Sequence, residues 1–253
     1  MNTTMATNLK YDIIGAHNVR DLGGYKTKDG KVTQIGKFVR SDSLHRIHES
    51  GIRSLLKKNL TTVIDLRTKK ELQEEPNLLA ELRGVNFLNF PLLENLSPIF
   101  LGAVTLSSAS DDPLLAFYLS ALHERKAAIK EIFLAMSEAA PGLILFNCTA
   151  GKDRTGIISA LLLSLVNVSS ADIIKNYTES ELAITELVDE FLEKSRLQGG
   201  DTSSYSRMLK CSAETMESAL SSIVEGYGDT YNYLKNAGLK DENLIKISER
   251  MLE

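Results

Sequence analysis

The sequence predicts an α/β fold: a mostly parallel central sheet flanked by helices, with a helical C-terminal third. Three observations carry this. Up to Cys148, short apolar or β-branched runs alternate with amphipathic stretches, as parallel strands joined by crossover helices require. After Cys148 the strand-like runs stop and helical periodicities take over. With 253 residues, 43% hydrophobic and 25% charged, the composition is that of an ordinary globular chain.

In order, residues 37–39, 62–66, 86–90 and 143–148 read as strands. Residues 48–58 read as a helix with Ile52, Leu55 and Leu56 on one face. Residues 124–139 place Ala128, Ile129, Ile132, Phe133 and Met136 on one face and charges on the other. Residues 155–166 are apolar nearly all round, which predicts a buried helix. Residues 178–197, 205–224 and 241–252 are amphipathic, with Leu182, Leu187, Val188, Phe191 and Leu192 as one stripe. Residues 107–113 and 198–204 read as loops. No repeat or long linker divides the chain. The expectation is one domain over 1–253, with a core at about 11–170 and a helical lid and packing region at about 171–253.

Several function classes drop out. Residues 1–70 carry 14 Lys and Arg against 6 Asp and Glu, and the remainder 15 against 27, for a net charge of −4. Blocks of opposite sign argue against a uniformly basic nucleic-acid binder and fit a local pocket for a small anion. The longest strongly apolar stretch, 157–166, is half the ~20 residues of a membrane span, so stable membrane insertion is not expected. Met1–Leu9 has no apolar run or cationic lead-in, so the chain as written reads as cytoplasmic, with secretion left open had a leader been removed. Two cysteines make no disulfide framework. His17, His45, His48 and His123 lack metal-ligand spacing, and no GxGxxG follows a strand, so neither metal nor cofactor is indicated.

The most informative stretch is LILFNCTAGKDRTG, residues 143–156. A buried strand ends near Cys148, a short loop contains Gly151, and a helix begins near Arg154. Such a loop directs backbone N–H groups and the positive end of a helix dipole at one point, which suits a phosphate and favours the thiolate of a cysteine placed there. Arg154 returns to the loop mouth, where its planar fork can grip phosphoryl oxygens. Thr155 is placed to hydrogen-bond the sulfur as it leaves. A nucleotide P-loop fails twice, because Phe146 stands where Gly is needed and Asp153 where Ser or Thr is needed. The plain alternative, a packed Cys148 and a solvated Arg154, explains neither the spacing nor the glycine.

The Cys-x5-Arg spacing of Cys148 and Arg154, and the fuller string CTAGKDRTG, resemble the atypical bacterial tyrosine phosphatases that also act on phosphoinositides and on phosphoserine or phosphothreonine. Further landmarks follow in order: NVRDLGG at 18–24, FVRSD at 38–42, VIDLR at 63–67 followed by Glu71, and YGDTYNYL at 227–234. The likeness spans about 17–240. It implies a tyrosine-phosphatase-like fold, with Cys148 as nucleophile, Arg154 as phosphate clamp and Asp153 as general acid within the loop. Thr149, Ala150, Gly151, Lys152, Thr155 and Gly156 complete the phosphate-binding segment. The implied substrates are phosphorylated protein or phosphoinositide. One position departs from the family: Asn147 stands where His usually precedes the cysteine, and neutral Asn can order the loop but not titrate. A phosphate- or phosphoinositide-binding module with weakened catalysis is therefore the second reading, and a sulfur-transfer enzyme a distant third.

Other residues are open at this stage. Asp65 and Arg67 end a strand expected beside the Cys148 strand and either face the pocket or form an ion pair that supports loops. Arg20 and Asp21 precede Gly23-Gly24, either near the pocket or as a structural pair. Asp111-Asp112-Pro113 imitates a mobile acid loop but fits better as a helix-capping turn before Leu114. Cys211 is expected mid-helix and packed.

Overall fold

The computed structural model describes residues 10–93 and 112–252. β1 (Arg20–Asp21), β2 (Phe38–Ser41), β3 (Leu60–Asp65), β4 (Asn86–Asn89) and β5 (Leu143–Asn147) form one sheet in the order β1-β2-β5-β3-β4. Every pairing is parallel except that of β1 with β2. β5 is central, between β2 and β3, and its last residue, Asn147, pairs with both Ser41 and Asp65. The mostly parallel α/β class is what the sequence predicts.

Both faces of the sheet are covered, so strand residues are apolar on both sides. Phe38, Ile64, Ile144 and Phe146 belong to the larger core on one face; Val39, Val63, Leu143 and Leu145 belong to the smaller core on the other. Leu143, Ile144, Leu145 and Phe146 are fully buried, each contributing roughly 1.5–3 kcal/mol relative to an exposed side chain. The smaller core takes in Leu55 of α1 (Glu49–Lys57). The larger core takes in α3 (Pro113–Glu124), α4 (Lys126–Glu138) and α5 (Asp153–Leu165), the last buried along nearly its whole length. Helix α6 (Ser170–Ala183) packs on α5, and Gly156 permits the approach: a Cβ there would lie 3.1 Å from the Tyr177 ring.

The C-terminal third is helical, but more finely divided than its periodicity suggests. Residues 178–197 are not one helix. α6 ends at Ala183, a 3₁₀ turn spans Thr185–Leu187, and α7 (Val188–Leu197) follows. The turn buries Ile184 and Leu187 and leaves Leu182 77% exposed, so the expected five-residue stripe is broken at its first member. Residues 205–224 also divide, into α8 (Thr202–Leu209) and α9 (Ala213–Tyr227). Ser212 caps α9 by accepting from the Thr215 amide, and Lys210 before it is extended, so Cys211 lies between helices and not within one. It is packed nonetheless, and burial pushes its thiol up to about 11. α10 (Thr230–Asn236) and α11 (Asp241–Leu252) complete the chain and join the larger core.

Asp112 accepts from the Leu114 amide and caps α3, with Pro113 at its first position. Asp111 and most of the loop expected at 107–113 lie outside the described residues.

Candidate active site

Ligand crevices in parallel sheets lie beyond the carboxyl ends of the strands, between helices on opposite faces. A cavity of about 870 Å³ opens there, with Cys148, Thr149, Ala150, Asp153 and Arg154 in its lining. Asp42 and Ser43 after β2, and Thr68 to Glu71 after β3, line it too. The opposite wall is the 3₁₀ turn, α7 and α8, through Leu187, Phe191, Tyr205 and Leu209. Leu187, Phe191 and Leu209 form a small apolar cluster that packs against Ala150 of the loop.

Cys148 follows the last residue of β5 and α5 starts at Asp153, so 148–152 form the predicted strand-to-helix loop. Gly151 is required there on two counts. Its φ is +64°, and a Cβ would lie 2.6 Å from the Asp42 nitrogen and the Ser41 oxygen. Among the described residues, the backbone N–H groups of Thr149, Ala150, Gly151 and Lys152 donate to no protein acceptor. Free N–H groups at the start of a thirteen-residue helix favour an anion. The Thr155 hydroxyl is buried and has no hydrogen-bond partner among the described residues.

Arg154 is 4% exposed and its outer edge is committed. Nη1 and Nη2 donate to the two Glu71 oxygens at 2.8 Å each, and Nη2 also donates to Thr149 Oγ1 at 3.0 Å. Nε–H has no acceptor among the described residues and shares its edge of the fork with Nη2, so an anion gripped there would bond Nε–H and take the place of Thr149 Oγ1 at Nη2. Thr149 Oγ1 in turn donates to Glu71 Oε1 at 2.6 Å. Burial alone would raise the Glu71 carboxyl, but Arg154, Thr149 and the Thr68 amide together hold it well below the usual carboxylate range. Burial alone would lower Arg154, and the pairing with Glu71 raises it above its ordinary value instead. A depressed carboxylate keeps its contribution above its ordinary pKa and loses it only as pH falls through the depressed value. The Arg154–Glu71 pair therefore stays ionised throughout the weakly acidic range.

A capping box explains why Glu71 stands there. In α2 (Lys69–Glu74), Thr68 accepts from the Glu71 amide at 3.2 Å and Glu71 Oε2 accepts from the Thr68 amide at 2.8 Å. The Thr-x-x-Glu pattern of 68–71 is visible in the sequence; its use as the partner of Arg154 is not.

Asp153, the first residue of α5, lines the cavity with its side chain 26% exposed. Its Oδ1 accepts from Lys152 Nζ at 2.7 Å and from Tyr118 Oη at 2.8 Å. Lys152 is almost wholly buried and also donates to the carbonyls of Met208 (2.8 Å) and Lys210 (3.2 Å), so it ties the loop to the end of α8 and does not reach into the cavity. Tyr118 Oη lies 2.8 Å from Tyr177 Oη. Burial, with Asp153 adding to it, pushes both phenols well above their usual range, so both stay protonated. No sequence signal marks these two isolated tyrosines.

The supporting residues fall outside the cavity lining. Asp65 is fully buried in an ion pair with Arg67, at 2.9 Å, and also accepts from Asn77. Of the two readings of Asp65 and Arg67, the structure shows the ion pair: Arg67 donates to Ser43 Oγ and to the Glu75 carbonyl, which joins three loops. Arg20 and Asp21 do not pair with each other, because neighbours on a strand face opposite ways. Asp21 accepts from Tyr11 Oη and from the Gly23 and Gly36 amides, whereas Arg20 reaches Asn18, Asn176 and Ser180. Asn147 is fully buried, donates to Asp65 Oδ2 at 3.2 Å and accepts from Asn77 at 3.3 Å. It shares the smaller-core face with Leu143 and Leu145, whereas Cys148 belongs to the larger core.

Asn147→His would place an imidazole against Asp65, where the carboxylate favours its protonated form. The pH midpoint for alkylation of Cys148 by iodoacetamide should then fall by about half a unit to one unit. An unchanged profile would show that position 147 does not tune the thiol.

A cysteine, a buried arginine and free loop amides beyond the carboxyl edge of a parallel sheet define an oxyanion-cradling α/β protein of the Cys-x5-Arg type. The chain belongs to the tyrosine phosphatase family, whose sequence profile matches residues 11–253, and by that membership is a phosphatase. It is similar to a Cupriavidus necator protein that carries a provisional tyrosine-protein phosphatase name, 28% identical over 91% of this chain and 84% of that one. A tyrosine-protein phosphatase of Nostoc commune is 27% identical over 85% of this chain and 74% of its own length. The triple specificity protein phosphatase PtpB of Mycobacterium tuberculosis is 27% identical over 93% of this chain and 96% of its own.

Proposed function

We propose that the chain hydrolyses phosphomonoesters without a metal, through a cysteinyl-phosphate intermediate, with phosphotyrosine as substrate and phosphoserine, phosphothreonine or phosphoinositides within its range. The observation that carries this is that Cys148, Thr149, Ala150 and Arg154 line one cavity, with the amides of the loop 149–152 left without a protein acceptor among the described residues. The Cys148 thiolate attacks phosphorus in line with the ester oxygen. The loop N–H groups and Arg154 hold the equatorial oxygens as charge builds in the transition state. Asp153, anchored through Oδ1, delivers its proton from Oδ2 to the leaving oxygen and then takes one from the water that cleaves the Cys–P bond. Thr155 supports the departing sulfur. Leu114, Phe117, Phe191 and Tyr205 give the cavity an apolar wall suited to an aryl group. The name of the Mycobacterium tuberculosis relative supports a broader substrate range.

The test is steady-state hydrolysis of an aryl phosphate in EDTA. Saturable turnover is expected. Oxyanion binding without turnover would favour the binding-module reading, to which Asn147 points.

The wall formed by α7 and α8 acts in this reading as a lid. Two bridges hold α7 across the cavity: Arg46 to Glu190, at 2.8 and 2.5 Å, and Lys194 to Glu75, at 2.9 Å. Both are partly exposed, and such pairs contribute ~0–1 kcal/mol, a weak latch suited to opening. Glu190→Gln should raise the rate of limited proteolysis near Gly199-Gly200 about two- to fivefold, the factor corresponding to the upper half of that range. Identical cleavage in the two proteins would make α7 a fixed wall.

A further inference from the structure

The outward donors of the phosphate loop are set from behind. Three successive loop carbonyls accept from groups on other segments. Thr149 O accepts from the Ser43 amide at 2.9 Å, and Ala150 O from Asn18 Nδ2 at 2.9 Å. Gly151 O accepts from Asn18 Nδ2 at 3.0 Å and from Arg40 Nη2 at 2.7 Å. In a planar trans peptide the C=O and the following N–H point in opposite directions. Fixing these carbonyls inward therefore aims the N–H groups of Ala150, Gly151 and Lys152 outward, and those are among the amides left without a protein acceptor.

A second observation comes from charge. Arg40 lies opposite Arg20 in the β1–β2 pair, and both guanidinium groups are buried. They share Ser180 Oγ, and Arg40 Nη1 donates to Asn176 Oδ1 at 2.6 Å. Among the described residues, the carboxylate paired with them is that of Glu179, 4.0 Å from Arg20 Nε. Both Nε atoms are buried without a hydrogen-bond partner. Burial lowers the pKa of both arginines. The space behind the loop thus carries excess positive charge that an anion in front of it would neutralise.

We propose that Asn18 and Arg40 are positioning residues for the reaction: they lock the loop peptides with their amides facing the phosphoryl group, and Arg40 adds a cation behind the cradle. This rests on the phosphatase reading of the loop. It also gives the NVRDLGG and FVRSD segments a shared purpose, since each supplies one of the two residues.

The probe is tungstate, a tetrahedral oxyanion, titrated into wild type, Asn18→Ala and Arg40→Lys well below their melting temperatures. Arg40→Lys keeps the charge but cannot bond Gly151 O and Asn176 together. Tungstate affinity should fall about 10-fold or more in each variant, and kcat/KM for an aryl phosphate should fall with it. A purely structural role would lower the melting temperature and leave the affinity of the folded protein intact. In wild type, the amide resonances of Ala150, Gly151 and Lys152 should shift on binding and their hydrogen exchange should slow, a readout that needs no variant. Variants that fold and bind within twofold of wild type, or wild-type amides that do not respond to bound tungstate, would overturn the positioning. Wild type that binds no tungstate would overturn the phosphatase reading beneath it.

Discussion

Cys148→Ser should lower kcat for an aryl phosphate by about 10⁴–10⁶-fold, the range seen when a covalent nucleophile is removed. A serine hydroxyl is far less acidic than a thiol, and among the described residues no histidine is hydrogen-bonded to the loop to act as its base. The cradle itself should survive, because the loop is held by Asn18, Arg40 and the Ser43 amide and not by the sulfur. Tungstate should therefore bind the variant within about threefold of wild type. Each outcome has its own meaning. Retained turnover would remove Cys148 from the chemistry, and lost tungstate binding would mean that the substitution had disturbed the loop.

Asp153→Asn should slow phosphotyrosine hydrolysis by about 10²–10⁴-fold, the usual contribution of a general acid. The same change should slow an ester of a strongly acidic phenol by much less, because that leaving group needs no proton. Steric damage is a poor explanation in advance. An asparagine oxygen can still accept from Lys152 Nζ and Tyr118 Oη, so the side chain keeps its place. What it loses is the carboxyl that, in the proposed mechanism, hands a proton to the leaving oxygen. Log rate plotted against leaving-group pKa should thus become steeper in the variant. Parallel lines would take the acid role away from Asp153. Asp65 could not inherit it, being fully buried against Arg67.

Much of this site is legible in the sequence because it is local. Cys148, Gly151, Asp153 and Arg154 lie within seven consecutive residues, and one strand-to-helix loop brings them together whatever the rest of the fold does. The sheet is legible for a similar reason, since buried parallel strands announce themselves as short apolar runs between longer amphipathic ones. Long-range partners are not legible in this way. Asn18, Arg40, Glu71 and Tyr118 meet the loop only through the strand order and the packing of α3, although the segments that hold the first three stand out as motifs. The helical third misleads where the apolar period runs across a break. Leu182 and Leu187 read as one stripe of one helix, yet the helix ends at Ala183 and Leu187 closes a 3₁₀ turn that places it in the cavity lining. Ser212, and Asp201, which accepts from the Ser203 amide, are N-cap residues present in the sequence that separate α8 from its neighbours.

The central claim is that phosphoryl transfer passes through the Cys148 sulfur. Its most direct test is rapid acid quench of wild type turning over a phosphotyrosine peptide, followed by digestion and mass analysis of the peptide that contains Cys148. A phosphoryl group on that cysteine, forming before inorganic phosphate and decaying as phosphate appears, is the predicted result. Phosphate released at the steady-state rate from the first turnover, with Cys148 unmodified at every time point and no loss of rate in Cys148→Ser, would contradict it.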